Sequence, residues 1–117
     1  MKNLFISGIT GKVGKLLSSY ALESNNFKLV GGSCSPDNKF FEKDVGKLLE
    51  IEETGIQISE KMSEDLSVDI IIDFSSPKSS MEILQLAKKK EIPILIKIKV
   101  ISMVFDNIIF HWDAISV

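Results

Sequence analysis

The sequence predicts an α/β protein with a doubly wound parallel sheet, and three observations support this class. Short apolar runs alternate with stretches of helical periodicity. A glycine-spaced turn joins the first run to the first helix, and the β-branched run at 68–74 is typical of a central parallel strand. Strands that alternate with helices form parallel sheets through right-handed crossovers. We expect strands near residues 3–7, 27–33, 69–74 and 92–96, and helices near 12–24 and 77–90.

The first strand leads into the motif G-x-x-G-x-x-G, formed by Gly8, Gly11 and Gly14. A strand, a glycine turn and a helix are the context that a dinucleotide-binding fingerprint requires. Gly8 can adopt the positive φ of a sharp turn, Gly11 lets backbone N–H groups approach a pyrophosphate, and Gly14 lets the helix pack closely. The phosphates would then lie at the helix N-terminus, which attracts anions. The motif alone is also compatible with a packing turn that binds nothing.

Each helix is expected to bury an apolar face with a period of 3.6 residues. In the first helix that face consists of Val13, Leu16, Leu17, Tyr20 and Ala21. In the second it consists of Met81, Ile83, Leu84 and Ala87. A serine before Pro77 can cap the second helix, with Pro77 at its first position.

The segments that connect these strands and helices show no clear periodicity. Residues 34–53 predict loop, because Pro36, Asn38 and Gly46 interrupt them. A short third strand is expected at 56–59 and a helical turn at 62–66. Ligands of such sheets bind outside the carboxyl ends of the strands. We therefore expect the segments 8–14, 32–37 and 74–77 around one crevice.

Composition excludes several classes of protein. The 117 residues fit one domain, and 44% hydrophobic with 26% charged residues indicates a globular chain. The net charge of −2, without a basic stripe, argues against nucleic acid as a partner. The single Cys34 forms no internal disulfide, and no apolar run reaches the ~18 residues of a membrane span. We expect a cytoplasmic protein without a signal peptide or a membrane partner.

Two further segments, taken with the glycine turn, resemble a known family. The strand 69–74 continues into D-F-S-x-P at 73–77, and I-P-I-L-I follows one helix later at 92–96. With the turn at 8–14, these segments resemble the N-terminal, Rossmann-like domain of the dihydrodipicolinate reductases over residues 1–96. The resemblance implies NADH or NADPH as cofactor. It also implies the reduction of 4-hydroxy-tetrahydrodipicolinate to tetrahydrodipicolinate, a step of lysine biosynthesis through diaminopimelate.

The resemblance implies cofactor-binding residues, and no residue is assigned to catalysis or to a metal. Lys12 stands where the family usually has arginine, which keeps a cation but loses the bidentate fork. Ser35 and Pro36 stand where the family often has an acid and an arginine, so the preference between NADH and NADPH is open. The implied cofactor-binding residues are Gly8, Ile9, Thr10, Gly11, Lys12, Val13, Ser35, Phe74 and Ser75.

The sequence departs from the family after residue 96. Family members continue with a G-T-T-G stretch against the nicotinamide, whereas this chain reads K-I-K-V-I-S. A full reductase is much longer, and its second domain carries a histidine-rich motif that the lone His111 does not match. We expect a dinucleotide-binding domain at 1–96, an atypical apolar tail at 97–117, and no C-terminal substrate and tetramerisation domain. The hypothesis is a truncated or frame-shifted reductase.

Three functions follow from these observations. In the first, the chain is the cofactor-binding half of a reductase, inactive by itself and monomeric or weakly associating, whereas full-length family members are tetramers. In the second, it is a small non-catalytic nucleotide-binding domain or a non-functional fragment. The third, an extended short-chain dehydrogenase, needs a Tyr-x-x-x-Lys pair, and the only tyrosine, Tyr20, is followed at that spacing by Ser24. That spacing disfavours the third function.

Overall fold

A computed structural model describes residues 1–96 of the chain, and the tail expected at 97–117 lies outside the described residues. Within that range all strands pair in parallel, in the order β3-β2-β1-β4-β5. The predicted α/β class with a parallel sheet is confirmed. The strands are β1 (Lys2–Ser7), β2 (Phe27–Ser33), β3 (Ile58–Ser59), β4 (Ile70–Asp73) and β5 (Ile94–Ile96). The helices are α1 (Lys12–Glu23), α2 (Val45–Leu49) and α3 (Pro77–Lys90).

The register of the sheet brings the ends of its strands together. Ser7, the last residue of β1, is aligned with Ser33 of β2 and with Asp73 of β4. The chain proceeds outward from β1 through β2 to β3 on one side, and through β4 to β5 on the other. The point where the order reverses, between β1 and β4, is where sheets of this kind bind ligands.

Side chains of β1 point alternately to two hydrophobic cores, as the two-residue period of a strand requires. Leu4 and Ile6 belong to the core beneath α1 and α2. Phe5 belongs to the core beneath α3, with Ile71 and Ile83. Phe5, Ile6 and Ile71 are at most 1% exposed. Burial of each such side chain contributes about 1.5–3 kcal/mol, so both faces of the sheet anchor β1.

The apolar face predicted for α1 is only partly correct. Ala21 is buried as predicted, but the other buried residues of the helix are Gly14 and Ser18. Leu16 and Tyr20 are 71% and 69% exposed, Val13 is 40% exposed, and Leu17 is half-buried. Gly14 is required at the start of α1, because a Cβ there would lie 2.5 Å from the Gly8 carbonyl oxygen. The Ser18 hydroxyl donates to the Lys15 carbonyl at 2.9 Å, which satisfies it on this buried face.

The boundaries of α3 agree with the prediction, but its buried face differs. Ser76 caps the helix by accepting a hydrogen bond from the Ser79 N–H, and Pro77 occupies the first turn, as expected. Ile83 and Ala87 are buried as predicted, whereas Met81 is 55% exposed and Ser80 takes a buried place. The polar Ser80 is buried because it has a hydrogen-bonding partner in the core, which periodicity does not reveal.

The connecting segments hold two further differences. The segment predicted as loop at 34–53 contains the short helix α2, and 62–66 forms no helix, only a turn at 64–65. The side chain of Asp44 starts α2 by accepting a hydrogen bond from the Gly46 N–H at 2.7 Å. A five-residue helix held by such a contact leaves no periodic signal in the sequence.

Candidate functional site

The turn between β1 and α1 is fixed by the end of β2. The backbone N–H groups of Gly8 and Ile9 both donate to the Ser33 carbonyl, at 2.9 and 3.0 Å. The chain then reverses through Gly8, whose φ is +78°, a conformation that glycine adopts without steric cost. The Gly11 N–H closes the turn by donating to the Gly8 carbonyl at 3.3 Å.

Two glycines of this turn are required by the protein itself. A Cβ at Gly8 would lie 2.8 Å from the Phe74 carbonyl carbon and the Ser75 nitrogen. A Cβ at Gly14 would lie 2.5 Å from the Gly8 carbonyl oxygen and 2.6 Å from that of Ile9. The short distance at Gly8 shows that the turn packs against the loop that follows β4, at the point where the strand order reverses.

Gly11 differs from both. Its φ of −74° and ψ of 172° suit any residue, and a Cβ there would meet nothing closer than the Gly8 oxygen at 3.7 Å. Gly11 is also the N-cap of α1, and no side-chain hydrogen bond caps this helix. The first N–H groups of a helix lack partners within it and carry a partial positive charge. The turn therefore leaves room, and free donors, for an anion such as a pyrophosphate.

The loop after β2 is connected to the glycine turn. Asn38 donates from its side-chain amide to the Thr10 hydroxyl at 3.2 Å, and from its backbone to the Ser35 carbonyl at 3.0 Å. The exposed Ser35 hydroxyl donates to the carboxylate of Asp37. Burial, with a smaller contribution from the charge of Asp37, raises the pKa of the Cys34 thiol. Cys34 is therefore a neutral packing residue at neutral pH.

The loops after β1, β2 and β4 surround one cleft of about 800 Å³. Six of the nine residues expected to bind a cofactor line it: Gly8, Thr10, Gly11, Ser35, Phe74 and Ser75. Ile9 lies beneath the cleft, fully buried, and packs against Gly32. Lys12 and Val13 are exposed on the first turn of α1 and are not among the lining residues.

Sequence reasoning missed part of the cleft. The sequence predicts Asn38 only as a loop residue, because its hydrogen bond to Thr10 depends on a fold that brings the two segments together. The segment after β3 and the exposed side of α3 also contribute to the wall. The β3 contribution could have been anticipated, since its carboxyl end must lie beside that of β2. The additional lining residues include Glu60, Lys61, Met62, Lys78, Ser79 and Glu82.

Residues 1–96 contain neither a metal-binding cluster nor a membrane-spanning helix. No group of three or more His, Cys, Asp or Glu side chains in this part of the chain is arranged to hold a metal ion. Among the helices described, none has the length and apolar character needed to cross a membrane.

The parallel sheet, the cleft at its reversal point and the open glycine turn define a Rossmann-like dinucleotide-binding domain. Solved structures share this fold. An aspartate semialdehyde dehydrogenase with NADP from Candida albicans matches with a TM-score of 0.66 at 15% identity, over 85% of this chain and 30% of that one. A dipicolinate-bound dihydrodipicolinate reductase from Paenisporosarcina sp. TG-14 matches with a TM-score of 0.60 at 16% identity, over 82% and 37%.

Sequence comparison gives the family. The model of "Dihydrodipicolinate reductase, N-terminus" matches residues 2–97. A 4-hydroxy-tetrahydrodipicolinate reductase from Buchnera aphidicola subsp. Baizongia pistaciae is 34% identical over 91 residues, or 74% of this chain. The corresponding protein from Colwellia psychrerythraea is 34% identical over 77 residues, or 66% of this chain. The chain belongs to the dihydrodipicolinate reductase family and matches its N-terminal domain.

The match covers a limited part of each relative. It spans 34% of the Buchnera protein and 29% of the Colwellia protein, about a third of their length.

Proposed function

We propose that this chain binds NADH or NADPH in the cleft and provides the cofactor-binding part of a reductase acting on 4-hydroxy-tetrahydrodipicolinate in lysine biosynthesis. Family membership and the names of the relatives support the substrate and the pathway. The bound nicotinamide would supply the hydride, and the protein would supply binding, orientation and electrostatics.

The observation that carries this proposal is the open turn at Gly11. Fold and packing account for Gly8 and Gly14, but they place no demand on Gly11. A glycine with an ordinary φ and open space on its Cβ side is explained by close approach of a ligand. Its position at an uncapped helix N-terminus makes that ligand an anion.

The roles of the remaining predicted residues follow from the family resemblance, and the strand order is compatible with them. The pyrophosphate would lie on the turn at 8–13, with Lys12 as a nearby cation. Ser35, which follows β2, would lie at the adenosine end, and Phe74 and Ser75, which follow β4, would lie at the nicotinamide end. This arrangement places the two halves of a dinucleotide on opposite sides of the reversal point, as in sheets of this class.

The test is a titration of the purified chain with NADH and with NADPH, comparing the wild type with Gly11→Val. The valine would fill the space that the pyrophosphate needs, so we expect the affinity to fall at least about tenfold, or about 1.4 kcal/mol. The backbone angles of Gly11 suit valine, so the fold should persist, with a loss of about 1 kcal/mol at most from the poorer N-cap.

The far-UV circular dichroism spectrum and the melting temperature are the controls for folding. Gly11→Ala is the graded control and should lose less affinity than Gly11→Val, since its side chain is smaller. Equal affinity of the wild type and a folded Gly11→Val variant would contradict the phosphate assignment. Failure of the wild type to bind either nucleotide would contradict the proposed function as a whole.

A further inference from the structure

Asp73, the last residue of β4, is a fully buried acidic side chain that the cofactor assignment does not use. It is 0% exposed and does not line the cleft. Its Oδ1 accepts hydrogen bonds from the Ser75 N–H at 3.0 Å and from the Ser75 hydroxyl at 2.5 Å. Its Oδ2 accepts a hydrogen bond from the hydroxyl of Ser80, which is 2% exposed. One carboxyl group thus joins the end of a strand, a loop and a helix.

The fold alone gives little reason for this carboxyl group. Burying a polar group costs free energy unless every partner is in place, and Asp is depleted in strands. The helix that follows does not need Asp73 as a cap, because Ser76 already accepts the Ser79 N–H. What Asp73 does fix is the conformation of Ser75, which touches the glycine turn at Gly8.

Asp73 also fixes the direction of the Ser75 hydroxyl. The nearest acceptor for its hydrogen is Asp73 Oδ1 at 2.5 Å, while the Ser80 hydroxyl and the Ser76 carbonyl are at 3.3 and 3.4 Å. All three acceptors belong to the protein. The half-buried Ser75 side chain lines the cleft. Because its hydrogen is already donated within the protein, Ser75 Oγ can offer a ligand only its lone pairs. It is a hydrogen-bond acceptor at this position.

We propose that Ser75 accepts a hydrogen bond from the carboxamide NH₂ of the nicotinamide, and that Asp73 is the positioning residue that imposes this polarity. The inference rests on the proposed function, since it presumes a nicotinamide dinucleotide in the cleft. Of the groups on a nicotinamide ring, only the carboxamide NH₂ is a strong donor. A site that offers an acceptor there selects the amide over an analogue that retains the carbonyl and lacks the NH₂.

The experiment measures the affinity of the full chain for NAD⁺, for 3-acetylpyridine adenine dinucleotide, which replaces the NH₂ by a methyl group, and for ADP-ribose, which lacks the ring. The 2′-phosphorylated series replaces these ligands if the chain prefers NADP⁺. We expect the wild type to bind NAD⁺ about 2- to 12-fold more tightly than the acetyl analogue, the range for one net hydrogen bond. Ser75→Ala should remove that preference and leave the affinity for ADP-ribose unchanged.

Two further variants distinguish the positioning role of Asp73 from a general loss of structure in the cleft. Asp73→Ala frees the Ser75 hydroxyl to donate to the ring carbonyl that both ligands share, so the preference should also fall to about one, with ADP-ribose unaffected. Ser79→Ala removes another cleft-lining hydroxyl, bonded to Ser76 and not to Asp73, and should retain the preference. If Asp73→Ala does not fold, Ser75→Ala still decides.

Several results would overturn the inference. The wild type could bind NAD⁺ and the acetyl analogue equally, or Ser75→Ala could keep the preference. Ser75→Ala could also weaken NAD⁺, the analogue and ADP-ribose by the same factor, which would indicate a structural role. A wild type that binds none of the three ligands contradicts the proposed function, and the inference with it. Binding of ADP-ribose with no preference among the dinucleotides contradicts the inference only.

Discussion

The three glycines of the turn illustrate how one motif can combine separate physical requirements. Gly8 has a positive φ and lies against the Phe74–Ser75 backbone, and Gly14 lies against two carbonyl groups. Both requirements come from the protein. Gly11 meets neither requirement, so its role in binding phosphate stays a prediction that the Gly11→Val titration tests. A motif match alone does not separate these cases, whereas the distances around each Cβ position do.

Gly14→Ala should destabilise the fold more than Gly11→Ala. The new methyl group at position 14 would lie 2.5–2.7 Å from backbone atoms of Gly8 and Ile9, which have no flexible side chain to move aside. Overpacking of this kind costs about 1–3 kcal/mol. Urea unfolding of the two alanine variants measures the difference in the free energy of unfolding. A Gly14→Ala variant as stable as Gly11→Ala would show that α1 can shift away from the turn.

At the scale of elements, the short helix α2 depends on a single carboxylate. Asp44 Oδ1 accepts hydrogen bonds from the Gly46 N–H, the Thr54 N–H and the Thr54 hydroxyl, at 2.7–2.8 Å. Its Oδ2 accepts from the Gly55 N–H at 2.8 Å. Burial by itself would raise the pKa of Asp44, but these hydrogen bonds to the charged form outweigh it, so the pKa is lowered below its usual value.

The lowered pKa makes a prediction for stability against pH. A carboxyl with a depressed folded-state pKa stabilises the fold above its unfolded-state pKa of about 3.9, and this contribution is lost as pH falls through the folded value. Asp44→Asn keeps one acceptor oxygen but loses the charge and the oxygen that accepts from the Gly55 N–H, so it should cost about 0.5–1.5 kcal/mol at pH 7. The gap to the wild type should narrow below about pH 4.

Chemical unfolding of both chains from pH 7 to pH 3 measures this gap. Asp65→Asn, a change of the same kind at an exposed loop residue, is the control and should leave the stability at pH 7 nearly unchanged. A gap between Asp44→Asn and the wild type that stays constant down to pH 3 would mean that the hydrogen bonds do not favour the charged form.

At the scale of the whole molecule, the sheet order determines where chemistry can occur. Because β1 pairs with both β2 and β4, the ends of all three strands meet at one cleft. Helices cover both faces of the sheet, so this edge is where the loops of the described residues converge. The residues that line the cleft include six of the nine that are expected to bind the cofactor.

We expect the purified 117-residue chain to show no measurable reductase activity. Hydride transfer requires both reactants to be held in place, and such positioning supplies roughly 7–11 kcal/mol of the barrier. The proposed contacts hold the cofactor alone. The measurement is the oxidation of NADH or NADPH at high protein concentration, with substrate generated by a coupled synthase. Titration of the same preparation with cofactor shows that it can bind. Turnover at about 1 s⁻¹ or faster, the range of ordinary enzymes, would show that this chain carries the missing contacts.

The sequence by itself determined the elements with strong local signals. The β-branched run at 70–73, the Ser76–Pro77 helix start and the glycine turn each restrict the backbone through neighbouring residues, so β1, α1, β2, β4 and α3 lie close to their predicted positions. The class of fold followed from their alternation, and the rule that strand ends meet at one edge gave six of the nine predicted cofactor-binding residues a place in the cleft.

Only the tertiary structure decided which side chains are buried and which polar groups meet. Leu16 and Tyr20 of α1 are exposed because Gly14 lies against the backbone of the turn, and this contact fixes which face of the helix points inward. The contacts of Asn38 with Thr10, and of Asp73 with Ser80, join segments whose approach is set by packing. Periodicity records the apolar character of a residue, but burial depends on the distance to the neighbouring element, which no local pattern contains.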